Sequence, residues 1–171
     1  MDEMNYTQGD STERWDRNAA SWRRFFGAND PSRKYLLDPI ILQIVGDVSG
    51  KRVLDAGCGE GYLSRKLAKL GAKVTGVEIS PKKLSFAIKE QEREPLDITY
   101  RKASIASLPF LADRSFDIAI TNNVIQDVED YQAAFREFSR LLRPGGTYLH
   151  IASHPCFMTP GWGAAVSLLE L

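Results

Sequence analysis

Apolar side chains recur at helical spacing near the start of the chain. Trp15, Ala19, Trp22 and Phe26 fall on one face, which predicts an amphipathic helix over 12–27. Gly27-Ala-Asn-Asp-Pro31 breaks it. Asp38-Pro39 reads as the N-cap and first position of a second helix that carries Ile40, Ile41, Leu42, Ile44 and Val45 and ends at Gly46. From Lys51 onward strand and helix patterns alternate. Strands are predicted over 52–56, 73–78, 97–101, 116–121 and 147–152. Between them lie a helix bearing Leu63, Leu67 and Leu70 and closed by Gly71, and one capped by Ser80-Pro81 with Leu84, Ala87 and Ile88. A third carries Tyr131, Ala134, Phe135, Phe138, Leu141 and Leu142 and stops at Pro144-Gly145-Gly146. Such alternation makes βαβ units, and hence an α/β fold: a Rossmann-like, doubly wound, mostly parallel sheet with helices on both faces.

Length and charge narrow the classes. A chain of 171 residues holds one domain with a real core. No apolar run approaches the roughly 20 residues that span a bilayer, and the polar, acidic start is not a secretory leader, so no membrane partner is expected. Lys plus Arg equals Asp plus Glu at 22 each, which disfavours a nucleic-acid partner that needs a basic surplus. Cys58 and Cys156 are too few for a disulfide framework and have no metal spacing with either histidine, so no metal is expected and a reducing, cytoplasmic setting fits.

Ligands of a doubly wound sheet bind beyond the carboxyl ends of the strands, where strand order reverses. The turn after the first strand reads Val53-Leu-Asp-Ala-Gly-Cys-Gly-Glu-Gly61, with glycines at 57, 59 and 61 that let the backbone turn sharply and approach a ligand. Dinucleotide sites use G-x-G-x-x-G to seat a pyrophosphate; this loop is G-x-G-x-G, with Asp55 before it and Glu60 inside it. Two carboxylates would repel a pyrophosphate and suit a cation. Glu78 ends the second strand, where a carboxylate accepts from ribose hydroxyls. An acidic adenosine site with no phosphate requirement points to S-adenosylmethionine, whose sulfonium and ammonium are both cationic.

The chain resembles the class I S-adenosylmethionine-dependent methyltransferases, particularly the small-molecule branch (methyltransferase type 11-like). The resemblance covers about residues 35–155 and rests on four motifs in register: 53–61, Gly76-Val-Glu-Ile-Ser80, Leu108-Pro-Phe110 followed by Ser115-Phe-Asp117, and Leu141-Leu-Arg-Pro-Gly-Gly146. It implies that Gly57, Gly59 and Gly61 line the cofactor, with Asp55 acting through the loop and Glu78 binding the ribose diol. Ile79 would pack on adenine and Ile105 would cover the ring. Ser104 stands where family members usually carry Asp, so the adenine amino group would meet a neutral, weaker acceptor. Asn122 would contact the methionine part. The prolines typical of exocyclic-amine methyltransferases are missing from Asn122-Asn123-Val124-Ile125, which removes support for adenine-amine chemistry.

The resemblance implies methyl transfer to a small-molecule acceptor by direct in-line displacement. A sulfonium methyl is already activated, so alignment supplies most of the acceleration. No residue is assigned to catalysis beyond His154, a candidate base just past the fifth strand; His150 inside that strand reads as structural. Residues 1–34 are expected to form a helical lid in which Tyr6, Trp15 and Trp22 exclude water, with 35–157 the cofactor-binding domain and 158–171 a truncated tail. The family sheet has seven strands. Only 19 residues follow Ala152, against about 30 needed for a helix and two strands. The last two strands are therefore expected to be missing, leaving a fifth-strand edge open to a homo-oligomer. Two other readings stand beside this one. The first is a truncated module that binds S-adenosylmethionine without turnover; the second, a nicotinamide oxidoreductase, is disfavoured by the glycine spacing and acidic loop.

Overall fold

The computed structural model describes residues 7–27 and 30–152. Five parallel strands form one sheet in the order β3-β2-β1-β4-β5. They are β1 Arg52–Ala56, β2 Lys73–Glu78, β3 Ile98–Lys102, β4 Phe116–Asn122 and β5 Leu142–Ile151. The helices are α1 Gln8–Phe26, α2 Asp38–Val45, α3 Tyr62–Lys69, α4 Pro81–Arg93 and α5 Tyr131–Leu141. Strand order reverses between β2 and β4 on either side of β1, so the crevice for a ligand opens at the carboxyl end of β1.

A parallel strand covered on both faces must be apolar on both, and β1 is. Val53 packs with Ile41 and Val45 of α2 and Leu63 and Leu67 of α3. Leu54 and Ala56 pack on the other side with Ala134, Phe138 and Leu141 of α5. Each such fully buried large side chain contributes about 1.5–3 kcal/mol. The one buried polar member, Asp55, points back into the α3 layer, where it meets Ser64.

Four expectations need correction. Asp38 is not an N-cap, because the helix is already running: a π-helical turn, Arg33–Leu37, leads straight into α2, and the Asp38 N–H donates to the Arg33 carbonyl. Pro39 lacks an N–H and its ring crowds the carbonyl one turn back; the wider π turn before it accommodates both defects. No helix joins β3 to β4 either; residues 103–115 make turns. Arg140 of α5 holds that stretch by donating to the carbonyls of Leu111 (2.8 Å) and Leu108 (2.9 Å), while Glu137 accepts from the Leu108 N–H (2.7 Å). Mutual hydrogen bonding keeps Glu137 below, and Arg140 above, their ordinary pKa values. α5 ends at Leu141, not at Pro144. β5 starts at Leu142 because that residue already pairs with Phe116 before Arg143–Gly146 bulges out and pairing resumes at Thr147. Finally, α1 starts at Gln8, four residues before the expected boundary, since Thr7 and Asp10 form a reciprocal capping box.

Candidate functional site

A cavity of about 720 Å³ lies over the carboxyl ends of β1, β2 and β4 and beneath α1, within the range of small-molecule and cofactor sites. Among its lining residues are Asp55, Gly57, Gly59, Glu78, Ile79, Ser104, Ile105 and Asn122. Eight of the nine cofactor-binding candidates therefore meet in one place. Gly61 does not: it caps α3 at φ +74, and a Cβ there would lie 2.2 Å from the Tyr100 hydroxyl and 3.0 Å from Ala87. Its missing side chain permits close helix-to-sheet packing. His154, Tyr6 and Cys156 lie outside the described residues.

The loop after β1 is folded onto the end of β2. The Gly57 and Cys58 N–H groups both donate to the Val77 carbonyl, at 2.7 and 2.9 Å. Gly57 sits at φ +83, where a Cβ would fall 2.4 Å from Val124; only glycine meets both demands. Glu78 is 5% exposed and grips the same loop, accepting from the Gly59 N–H (2.8 Å) and, with its other oxygen, from the Ser80 N–H (2.8 Å). Each carboxylate oxygen accepts about two hydrogen bonds, so one site per oxygen remains for a ligand in the cavity. That spacing suits a vicinal diol.

Charge in the cavity is distributed differently from expectation. Asp55 is 3% exposed, accepts from Ser64 Oγ at 2.5 Å, and is pushed up to about 6 chiefly by burial, opposed by that hydrogen bond and aided by the nearby Glu78 charge. Glu60 is tied to Arg33 at 3.3 Å and lies 3.8 Å from Arg23. Neither therefore presents a bare charge. Asp38 and Asp127 line the cavity but are paired in turn, Asp38 with Tyr62 Oη and Lys66 Nζ, both at 2.6 Å, and Asp127 with Arg14, so among the described residues Glu78 is the charged carboxylate of the wall without an ion-pair partner. The Glu78 carboxylate, set behind a tight glycine loop, fits an adenosyl group bearing a cationic side chain better than one bearing a diphosphate.

Ser104 and Ile105 approach from the loop that Arg140 holds. Ser104 Oγ accepts from the Ala106 N–H (3.2 Å), while Ile105 is buried in the α5-side core. Asn122 ends β4, and Asn123 after it takes a left-handed φ of +54. His150 faces away from the cavity, its Nδ1 3.0 Å from Thr121 Oγ1, and burial lowers its pKa. A structural reading fits it. No helix of the described residues is long and apolar enough to cross a membrane.

α1 spans the mouth. At one end Ser11 Oγ donates to the Asp127 carbonyl (2.9 Å), and Arg14 pairs with the Asp127 side chain. Further along, Asp16 accepts from Ser80 Oγ and the Lys82 N–H, and Arg23 donates to Glu90 (2.6 Å). Trp15 and Trp22 thereby face the cavity. Sequence reasoning missed Lys83, whose ammonium lies between those rings. The available signal was its place beside Leu84 and Ala87 on the buried stripe of α4.

Comparison with known proteins agrees with this geometry. Residues 54–150 match the family model described as "Methyltransferase domain". A ubiquinone biosynthesis O-methyltransferase of Xanthomonas oryzae pv. oryzae is 35% identical over 135 residues, covering 77% of this chain and 56% of its own length. The chain thus spans about half the length of the curated relatives it matches. Among solved structures, an S-adenosylmethionine-dependent methyltransferase from Mesorhizobium loti is 33% identical, with TM-score 0.64 over 71% of this chain and 56% of its own. The Haemonchus contortus phosphoethanolamine N-methyltransferase 2, solved with phosphomonomethylethanolamine and S-adenosylhomocysteine, is 27% identical, with TM-score 0.74 over 86% of this chain and 35% of its own. The chain belongs to the class I S-adenosylmethionine-dependent methyltransferase family.

Proposed function

We propose that this chain binds S-adenosylmethionine in the cavity over β1, β2 and β4 and serves methyl transfer to a small-molecule acceptor by in-line displacement. The observation that carries the reading is Glu78, which lines the cavity beside the glycine loop and accepts one hydrogen bond on each carboxylate oxygen, leaving each oxygen a further acceptor site. In it Glu78 accepts from the ribose diol, Ile79 and Ile105 sandwich the adenine, Ser104 accepts from its amino group, and Gly57, Gly59 and Asn122 face the methionine portion. Asp55 acts from behind the loop by holding Ser64. The bound cofactor supplies a methyl group already activated by its sulfonium. What the chain adds is alignment and exclusion of water, the second through a lid made of α1 with Trp15 and Trp22.

The acceptor would enter between the lid and the β4–α5 turn, where Arg14, Gln126 and Asp127 line the cavity. His154 is the base this reading assigns when the acceptor carries a proton. The acceptor is a small molecule, no nucleic acid or metal takes part, and the setting is cytoplasmic. Incubation of the full chain with methyl-labelled S-adenosylmethionine and phenol, amine and thiol acceptors tests transfer. Glu78→Ala should weaken cofactor binding by about 1.5–3 kcal/mol, the range for a hydrogen bond to a charged group. An unchanged dissociation constant removes the ribose assignment; binding without label transfer leaves a cofactor-holding module.

A further inference from the structure

Lys83 is the third residue of α4, and its side chain returns along the helix toward the cavity rather than out to solvent. The residue is 9% exposed. Trp15 and Trp22 stand edge-on at 89° with centroids 5.1 Å apart, and Lys83 Nζ lies in the corner, 3.5 Å from the Trp15 centroid and 5.2 Å from that of Trp22. Two ring faces stabilise the cation but take no directed hydrogen bond. Among the described residues Nζ has no carboxylate within ion-pair distance and no hydrogen-bond acceptor. An ammonium carries three donors, and Nζ is not sealed off in the interior, so those donors are open to an oxygen in the cavity. Burial pulls its pKa below the ordinary lysine value, opposed first by the Glu78 charge.

The surroundings limit what can answer those donors. A Cβ built on Gly59 would lie 3.9 Å from Nζ, and the N–H of the same glycine donates to Glu78. The ammonium and the Glu78 carboxylate therefore flank one residue and face the same part of the cavity. A cation there repels the onium end of a ligand and donates to a neutral oxygen. We propose that Lys83 is a second ribose-binding residue, donating to a sugar oxygen whose hydroxyl hydrogen Glu78 accepts. The diol is then held from both sides, donor and acceptor, and the ligand is oriented with its sulfonium turned away from α4. This inference rests on the cofactor reading above. It adds a specificity determinant for the sugar and ties lid docking through Trp15 to occupancy of the ribose site.

Calorimetric titration of the full chain with S-adenosylhomocysteine and its 2′-deoxy and 3′-deoxy analogues tests it. Lys83→Met should raise the dissociation constant for S-adenosylhomocysteine about tenfold, and that penalty should fall below about twofold for one of the two deoxy analogues. Trp15→Leu, which loosens the lid but keeps the donor, should weaken all three ligands by one common factor. A Lys83→Met penalty below twofold for the parent ligand, or an equal penalty on all three, overturns the assignment. If the wild-type chain binds none of them the cofactor reading itself fails, whereas intact wild-type binding with an indifferent Lys83→Met variant sinks only the role of Lys83.

Discussion

Replacing Asp55 with Asn should make the protein more stable at neutral pH and leave it nearly unchanged in acid. The carboxyl is raised from 3.8 to about 6, mainly because burial between β1 and α3 disfavours its charged form. A raised carboxylate pKa means the folded state holds its proton more tightly than the unfolded chain. Below about pH 3 both states are protonated and the group is neutral to stability. As pH rises from 4 through 6, folding carries a growing penalty that levels off near 3 kcal/mol, at 1.36 kcal/mol per pKa unit. Asn keeps an oxygen for Ser64 Oγ and has no such dependence. Urea unfolding of both proteins at pH 5 and pH 7.5 reads the difference, and the gap in favour of Asp55→Asn should widen by about 1–1.5 kcal/mol between them. A gap that stays constant or narrows refutes the reasoning, since Asp55 would then be ionised without cost. The same group links binding to protons. A cation in the cavity favours ionised Asp55, so affinity for S-adenosylmethionine should rise through pH 6 more steeply than affinity for the thioether product, which lacks the sulfonium charge.

The loop carrying Ser104 and Ile105 depends on α5. Arg140→Met removes donors to two loop carbonyls and the partner of Glu137, so it should weaken S-adenosylhomocysteine binding about threefold to tenfold, at about 1 kcal/mol per lost bond; unchanged affinity by calorimetry would mean the loop holds itself. Among the described residues β5 pairs only with β4, and we propose that copies of the chain pair along its other edge. Sedimentation velocity should then show mass rising above the 19.1 kDa monomer with concentration, and a single monomer peak throughout would contradict edge pairing.

The sheet was legible because its strands are short apolar runs set between amphipathic helices, a pattern that packing rewards on both faces. Residues 103–115 carry no such period, and what orders them is a distant Glu137–Arg140 pair that no local window reveals. The start of α2 was hidden for a related reason: Asp38-Pro39 mimics a helix start, and the π turn that lets the helix run through it has no sequence signature. Glu78 and the Gly57 and Gly59 positions were readable since strand ends and tight turns are local features. Gly61 shares their spacing yet serves packing against Tyr100, a contact set by β3. Lys83 was missed because a lysine in a first helical turn ordinarily points to water; its place beside Leu84 and Ala87 on α4 was the local signal, and the two tryptophans of α1, about 60 residues earlier in the chain, show where it goes.

The most direct measurement is a competition titration of the full chain with S-adenosylmethionine and NAD. The account predicts saturable one-to-one binding of S-adenosylmethionine, undisturbed by excess NAD. Displacement of S-adenosylmethionine by NAD, or tighter binding of NAD alone, would contradict it.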